Sequence, residues 1–192
     1  LNNIPMSHSE LSEQELLRRE SLQKLRDLGI DPYPAALYPV DAFAADIKAQ
    51  FEDGKQVCLA GRMLSQRIMG KASFAEIQDA SGRIQVYFNR DELCPGEDKT
   101  LYNEVFKKLL DLGDFIGVRG VVFKTQVGEI SVHVTEFQLL SKSLRPLPLP
   151  KTDATGIVHD AFTDPELRYR QRYVDLVVNR HVKDVFIKRT KL

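Results

Sequence analysis

Residues 70–88 read GKASFAEIQDASGRIQVYF, and the fold turns on how this stretch is divided. "ASFAEIQD" alternates, "DASG" has turn chemistry, and "RIQVYFN" alternates again, so the spacing predicts two strands around a tight turn. Successive strand side chains point to opposite sides. Ser73, Ala75 and Ile77 therefore share one side, and Ala72, Phe74, Glu76 and Gln78 the other. In the next strand Ile84, Val86 and Phe88 oppose Arg83, Gln85 and Tyr87. Phe74 breaks the pattern, because it falls on the face that should be wet.

The alternation continues on both sides. Upstream, "KQVCLAGRMLSQRIM" from Lys55 is long for one strand, and Gly61 stands where a bend or bulge is expected. Downstream, "DELCPGEDKT" reads as a loop with Pro95 and Gly96. "TLYNEVFKKLLDLG" reads as a short helix burying Leu101, Val105, Leu109 and Leu112. "DFIGVRGVVFKTQ", a "VGE" turn and "EISVHVTEFQLLS" form a hairpin, in which Ile130, Val132 and Val134 oppose Glu129, Ser131 and His133. The glycines of "GVRGVV" lie within a strand and are expected to relieve crowding there. The order β-β-β-α-β-β, with one long bent strand, is the plan of a five-stranded OB-fold barrel, so the fold class is mainly β with helices.

Before the barrel, "SELSEQELLRRESLQKLRDLG" is an amphipathic helix. Ser12 and Glu15 form its capping box and Gly29 its stop. Asp41 is the expected N-cap of a second short helix to about Glu52. After Ser141, "KSLRPLPLPKTDATG" carries Pro146, Pro148 and Pro150, which oppose strand pairing and favour an extended linker. "DPELRYRQRYVDLVVN" begins a helix with Asp164 as N-cap and Pro165 in its first turn. In "HVKDVFIKRTKL", Val182, Val185 and Phe186 have no following partners. The end is expected to be a cut, with the residues after Asp164 partly disordered. The division is thus a helical extension (1–54), the barrel (55–141), a Pro-rich linker (142–165) and the truncated start of a further domain (166–192).

Composition narrows the function. A hydrophobic content of 43% with 28% charged residues suits a globular domain with a core, and no run of 18 apolar residues suggests a membrane helix. Net charge is zero, so any polyanion would be held by placed contacts and not by a global field. Cys58 and Cys94 have no CxxC spacing and fit a reducing compartment, the cytoplasm by default. His8, His133, His159 and His181 are scattered, which argues against a metal site. No phosphate-binding glycine motif or nucleophile elbow is present, and no catalytic site is expected.

An exposed aromatic on such a sheet would stack a splayed base, worth about 1–3 kcal/mol. Choosing the base needs hydrogen bonds. Gln85 offers an amide with donor and acceptor, Glu129 accepts, and Arg67 donates to a base carbonyl or to phosphate. Uracil's acceptor–donor–acceptor edge would suit that set. Lys71 and Arg83 add positive charge nearby, and His133 is a further candidate contact. Alternatively, Phe74 is covered by the N-terminal helix, and Gln85 and Glu129 are simply solvated.

"GRMLSQRIMGKASFAEIQDASGRIQVYF", "LGDFIGVRG", "GEISVHVTEFQLLSKSLRPLP" and "DPELRYRQRYVDL", in this order and with "LRDLGIDPYP" ahead of them, resemble the N-terminal third of class II lysyl-tRNA synthetases. The resemblance runs from about Glu10 to Leu192. Aspartyl and asparaginyl relatives share a similar OB domain, but "RIMGKASF", "LRPLP" and "RYRQRYVDL" look lysyl. The resemblance implies an anticodon-binding domain in which Phe74 stacks on a base, Gln85 reads an edge, and Arg67 and Glu129 make the other base contacts. The anticodon would be the uracil-rich one for lysine, with the middle base bound most specifically. It also implies a homodimeric parent enzyme that joins lysine to its tRNA with ATP and magnesium, held by motifs downstream of Leu192. This stretch would be inactive alone, and monomeric or a weak dimer. The alternatives are a free-standing single-strand-binding OB module and a structural domain whose barrel face serves a dimer.

Overall fold

The computed structural model describes residues 11–148, 151–152, 158–159 and 162–192, which fall into two compact units divided between Pro146 and Leu147. In the first, β1 (Gln56–Met69), β2 (Ala72–Gln78), β3 (Arg83–Asn89), β4 (Phe115–Lys124) and β5 (Ile130–Ser141) close a barrel in the order β1-β2-β3-β5-β4. Every pairing is antiparallel except β3 with β5. This is the expected OB-type plan. No helix among the described residues is long and apolar enough to cross a membrane.

β1 pairs with β4 in its first half and β2 in its second, which is why it needs 14 residues. Its bulge lies between Met63 and Ser65, not at Gly61. Gly61 serves close approach instead: a Cβ there would sit 2.8 Å from the Gln78 carbonyl oxygen. The strand glycines of β4 do relieve crowding, since a Cβ on Gly120 would meet the His133 carbonyl oxygen at 2.1 Å and one on Gly117 the Tyr38 ring.

The inner faces follow the alternation. Ala75, Ile77, Ile84, Val86, Phe88, Val132 and Val134 are all buried. Ser73, a polar residue on this side, is accommodated by a 2.7 Å hydrogen bond with the Tyr102 hydroxyl. Tyr102 belongs to the helix between β3 and β4, Leu101–Leu109, which is wound with π-type hydrogen bonds. That helix buries Tyr102, Val105, Phe106 and Leu109, whereas Leu112 is exposed and Leu101 only half-buried. The buried stripe starts one residue later than expected, with Tyr102 stacked on Phe106, whose ring is tilted against Phe88 at 4.1 Å. The stretch before it is not all loop: α3 (Arg90–Leu93) is one helical turn, capped by Asn89.

Helix α1 (Glu13–Asp27) has the Ser12–Glu15 capping box and packs against the π-helix. After its end, Gly29 N–H donates to Arg26 O and Ile30 N–H to Leu25 O, the paired bonds of a Schellman stop. Arg18 is buried and donates to the carbonyls of Leu112 and Ser143. Asp114, wholly buried, and Asp111, half-buried, both accept from Lys142. Their partner lies beyond the barrel's last strand, too far along the chain for a local pattern to show.

Asp41 does not cap α2 (Ala44–Ala49). Its carboxylate accepts from Cys58 N at 2.7 Å, which ties it to β1. Asp79 and Ser81 in the β2–β3 turn cap α2 instead, accepting from Ala44 N at 2.7 Å and Ala45 N at 2.9 Å.

In the second unit, Lys151–Thr152 (β6) pairs with Val158–His159 (β7), a short ladder that the proline spacing did not suggest; Pro150 lies outside the described residues. Expected partial disorder after Asp164 gives way to three helices, α4 (Pro165–Arg170), α5 (Arg172–Val178) and α6 (Arg180–Thr190), the first capped by Asp164 as expected. Buried Asp175 joins them, bonded to Arg168, Arg172 and Asn179. Val182 is buried, whereas Val185 and Phe186 are exposed.

Candidate nucleic-acid interface

The barrel's strand register lays its outer-face residues in rows. Arg67 on β1 pairs with Phe74 on β2, Phe74 with Tyr87 on β3, and Tyr87 with His133 on β5. One step along, Ser65, Glu76, Gln85 and Ser131 form a second row. The β4–β5 hairpin ends beside these rows. The result is a groove of about 600 Å³ lined by Arg67, Phe74, Glu76, Gln85 and Glu129, with Ser65, Ala75, Thr125 and Val127 completing its walls. All four residues expected to contact a base thus line one cavity.

Phe74 is half-buried, its ring 5.0 Å from that of Tyr87 and inclined by 49°. Tyr87 in turn meets His133 edge-on at 5.0 Å and Phe123 at 6.0 Å. The exposed ring is therefore one end of an aromatic run that holds it in place.

Gln85 is fixed by a residue that the alternation placed in the wet set but that is wholly buried, Ser131. The Ser131 hydroxyl donates to Gln85 Oε1 at 2.8 Å. With its oxygen engaged, the amide presents its N–H₂ donors. Glu129 sits at the foot of the hairpin, where its N–H donates to Thr125 Oγ1 at 3.0 Å and its carbonyl accepts from Thr125 N at 2.9 Å. Its carboxylate is paired through Oε1 with Lys48 Nζ of α2, 3.1 Å away. The Arg67 side chain has no ion-pair or hydrogen-bond partner among the described residues.

The three supporting candidates stand outside the lining. Arg83 pairs with Glu76 at 3.5 Å and donates to Gln78 at 3.2 Å, so it neutralises a groove carboxylate. Lys71 lies 3.5 Å from Asp91, with its side chain largely exposed. His133 packs between Tyr87 and Phe123, its Nε2 2.9 Å from Glu92 Oε2 without the alignment of a hydrogen bond. Sequence reasoning missed Ser131 and Lys48 as participants, along with the exposed Val127 at the hairpin tip. Only Val127 carried a signal, an apolar residue in the "VGE" turn.

Among the described residues no group of three or more His, Cys, Asp or Glu is placed to hold a metal ion. What the groove can do is hold a flat aromatic ligand against Phe74, with donors from Gln85 and Arg67 and an acceptor from Glu129 around its edge.

Comparison with known proteins agrees with the fold. Residues 57–140 match the family model described as an OB-fold nucleic acid binding domain. The chain is 65% identical over 183 residues to a lysine–tRNA ligase of Christiangramia forsetii, covering 95% of this chain and 32% of that protein. It is 63% identical over 190 residues to that of Porphyromonas gingivalis strain W83 and 58% over 185 residues to that of Azobacteroides pseudotrichonymphae, covering 96% and 95% of this chain and 33% and 37% of those proteins. The chain thus spans about a third of the length of these curated relatives. With the OB-fold nucleic acid binding domain at 57–140, the chain is closely similar along nearly all of its length to one third of lysine–tRNA ligases.

Proposed function

We propose that the groove on the outer face of the barrel binds the anticodon loop of the tRNA for lysine. The observation that carries this is the convergence of Arg67, Phe74, Gln85 and Glu129, from four separate strands or strand ends, on one cavity. A uracil stacked on Phe74 presents two carbonyl acceptors flanking one N–H. The engaged Gln85 amide supplies a donor for one carbonyl, Arg67 a donor for the other, and Glu129 an acceptor for the N–H. Stacking alone holds any base; this polar set favours uracil, and the middle anticodon base is the one we assign to Phe74.

The relatives' names extend the proposal to a parent protein, a lysine–tRNA ligase; for that parent we further propose the use of ATP and magnesium, a homodimeric state and residence in the cytoplasm. The groove residues would serve tRNA selection in it, not the chemical step.

The test is binding of the chain to a stem-loop with the UUU anticodon and to one whose middle uracil is replaced by cytosine, with Phe74→Ala alongside. We expect at least about a tenfold preference for uracil (about 1.4 kcal/mol), lost in the variant. Equal and strongly salt-dependent binding to both loops would reduce the face to a generic polyanion surface.

A further inference from the structure

Among the described residues, the groove lining holds two carboxylates, Glu76 and Glu129, and one cation without an ion-pair partner, Arg67. A polyanion approaching such a site would be repelled unless both were compensated. Each is compensated from outside the lining, Glu76 by Arg83 and Glu129 by Lys48. The second pairing joins positions 81 residues apart in the chain. It engages only Oε1 of Glu129, and no described residue pairs with Oε2.

The backbone that carries Lys48 is fixed. Its neighbour Ile47 is buried in the core, and the first turn of α2 is tied to the β2–β3 turn by Asp79 and Ser81. Glu129 is fixed from its own side by the two bonds to Thr125. Two anchored backbones thus meet through one ion pair made by Oε1 of Glu129.

We infer that Lys48 is a positioning residue for base recognition: it orients Glu129 so that Oε2 accepts the N–H of a bound uracil, and it offsets the carboxylate's repulsion of the RNA. The inference rests on the anticodon reading above. Lys48 itself touches no base. Both side chains of the pair are about half exposed, so its effect on stability is small and the effect on binding is separable from folding.

The test measures binding of the whole chain to the UUU stem-loop and to loops carrying N3-methyluridine, which lacks the N–H, at each anticodon position in turn. Wild type should show a large methylation penalty at one position. Lys48→Met should bind the plain loop about threefold or more weakly and shrink the penalty at that same position, and Lys48→Arg should restore both. Adding Lys48→Met to Glu129→Gln should cost nothing further, because Lys48 acts through Glu129. Additive losses, together with a salt dependence weaker by about one phosphate contact, would overturn the inference in favour of direct phosphate binding by Lys48. Unchanged binding in Lys48→Met would overturn it as well. A wild type that does not distinguish the UUU loop from a loop without uracil would instead remove the anticodon reading, and the inference with it.

Discussion

The Ser131 hydroxyl donates to Gln85 Oε1 across 2.8 Å, and this one bond decides which end of an amide faces the groove. Glutamine's two ends have nearly the same shape and opposite hydrogen-bonding character. Left unengaged, Gln85 would serve an acceptor or a donor with similar ease and discriminate little.

Ser131→Ala should therefore lower uracil preference more than it lowers affinity. The lost bond is worth about 0.5–1.5 kcal/mol, so the ratio of uracil-loop to cytosine-loop binding should fall roughly two- to tenfold. The change should come mainly from improved cytosine binding. Competition between the two loops measures this directly. An unchanged ratio, with both affinities reduced together, would mean that Ser131 merely supports the strand pair.

Asp79 gives a pH-dependent prediction. Burial, the largest single influence on its carboxyl, favours the protonated form. Four hydrogen bonds, from Ala44 N, the Ser81 hydroxyl, Gly82 N and Ser81 N, together outweigh it and hold the group below its usual range. A depressed folded-state value means the unfolded chain takes up the proton first. The stabilisation is present above pH of about 4 and is lost as pH falls through the folded-state value. Asp79→Asn should be less stable by about 0.5–2 kcal/mol at neutral pH, the range for a lost helix cap. Its urea midpoint should fall less steeply between about pH 5 and pH 3 than that of the wild type. Parallel midpoint curves for the two proteins would show that Asp79 carries no such linkage.

The contrast between Phe74 and Ser131 shows what a sequence can disclose about this site. Phe74 violates a local period-two pattern, so it is visible from its neighbours alone, as are the inner-face set and the five-strand order. Ser131 obeys the pattern on paper and is buried only because parallel β3–β5 pairing sets it directly beside Gln85. A parallel pairing between strands separated by two helices and another strand leaves no mark in either segment. Lys48 is hidden for the same reason, since its partner lies beyond four intervening strands. Even Asp41, a plausible cap by local rules, lost that role to Asp79 because β1 offered it the Cys58 N–H. Local chemistry named candidates; register decided which of them act together.

Lys142 and Asp114 form a pair with no exposed side-chain surface, Nζ to Oδ2 2.8 Å, at the exit of the barrel. Asp114 also accepts from Asp111 N and Ser143 N, so both of its oxygens are satisfied. Nearby, Tyr33 donates to the Lys142 carbonyl at 3.0 Å and Arg18 to that of Ser143 at 3.0 Å. Residues 142–143 are thereby held against α1 and the turn before β4. Burial already pushes the Asp114 carboxyl above its usual value, with Lys142 opposing the shift. Removing the lysine leaves an uncompensated buried carboxylate, a change that typically costs about 3–5 kcal/mol. Lys142→Met should lose that much at neutral pH in chemical denaturation. For a carboxyl whose folded-state value is raised, the native state takes the proton first as pH falls, so the variant should recover stability on mild acidification. Asp114→Asn added to Lys142→Met should likewise recover part of the loss at neutral pH. A Lys142→Met chain within about 1 kcal/mol of wild type, far below the usual cost, would show that water reaches Asp114 and that the pair does not hold this exit.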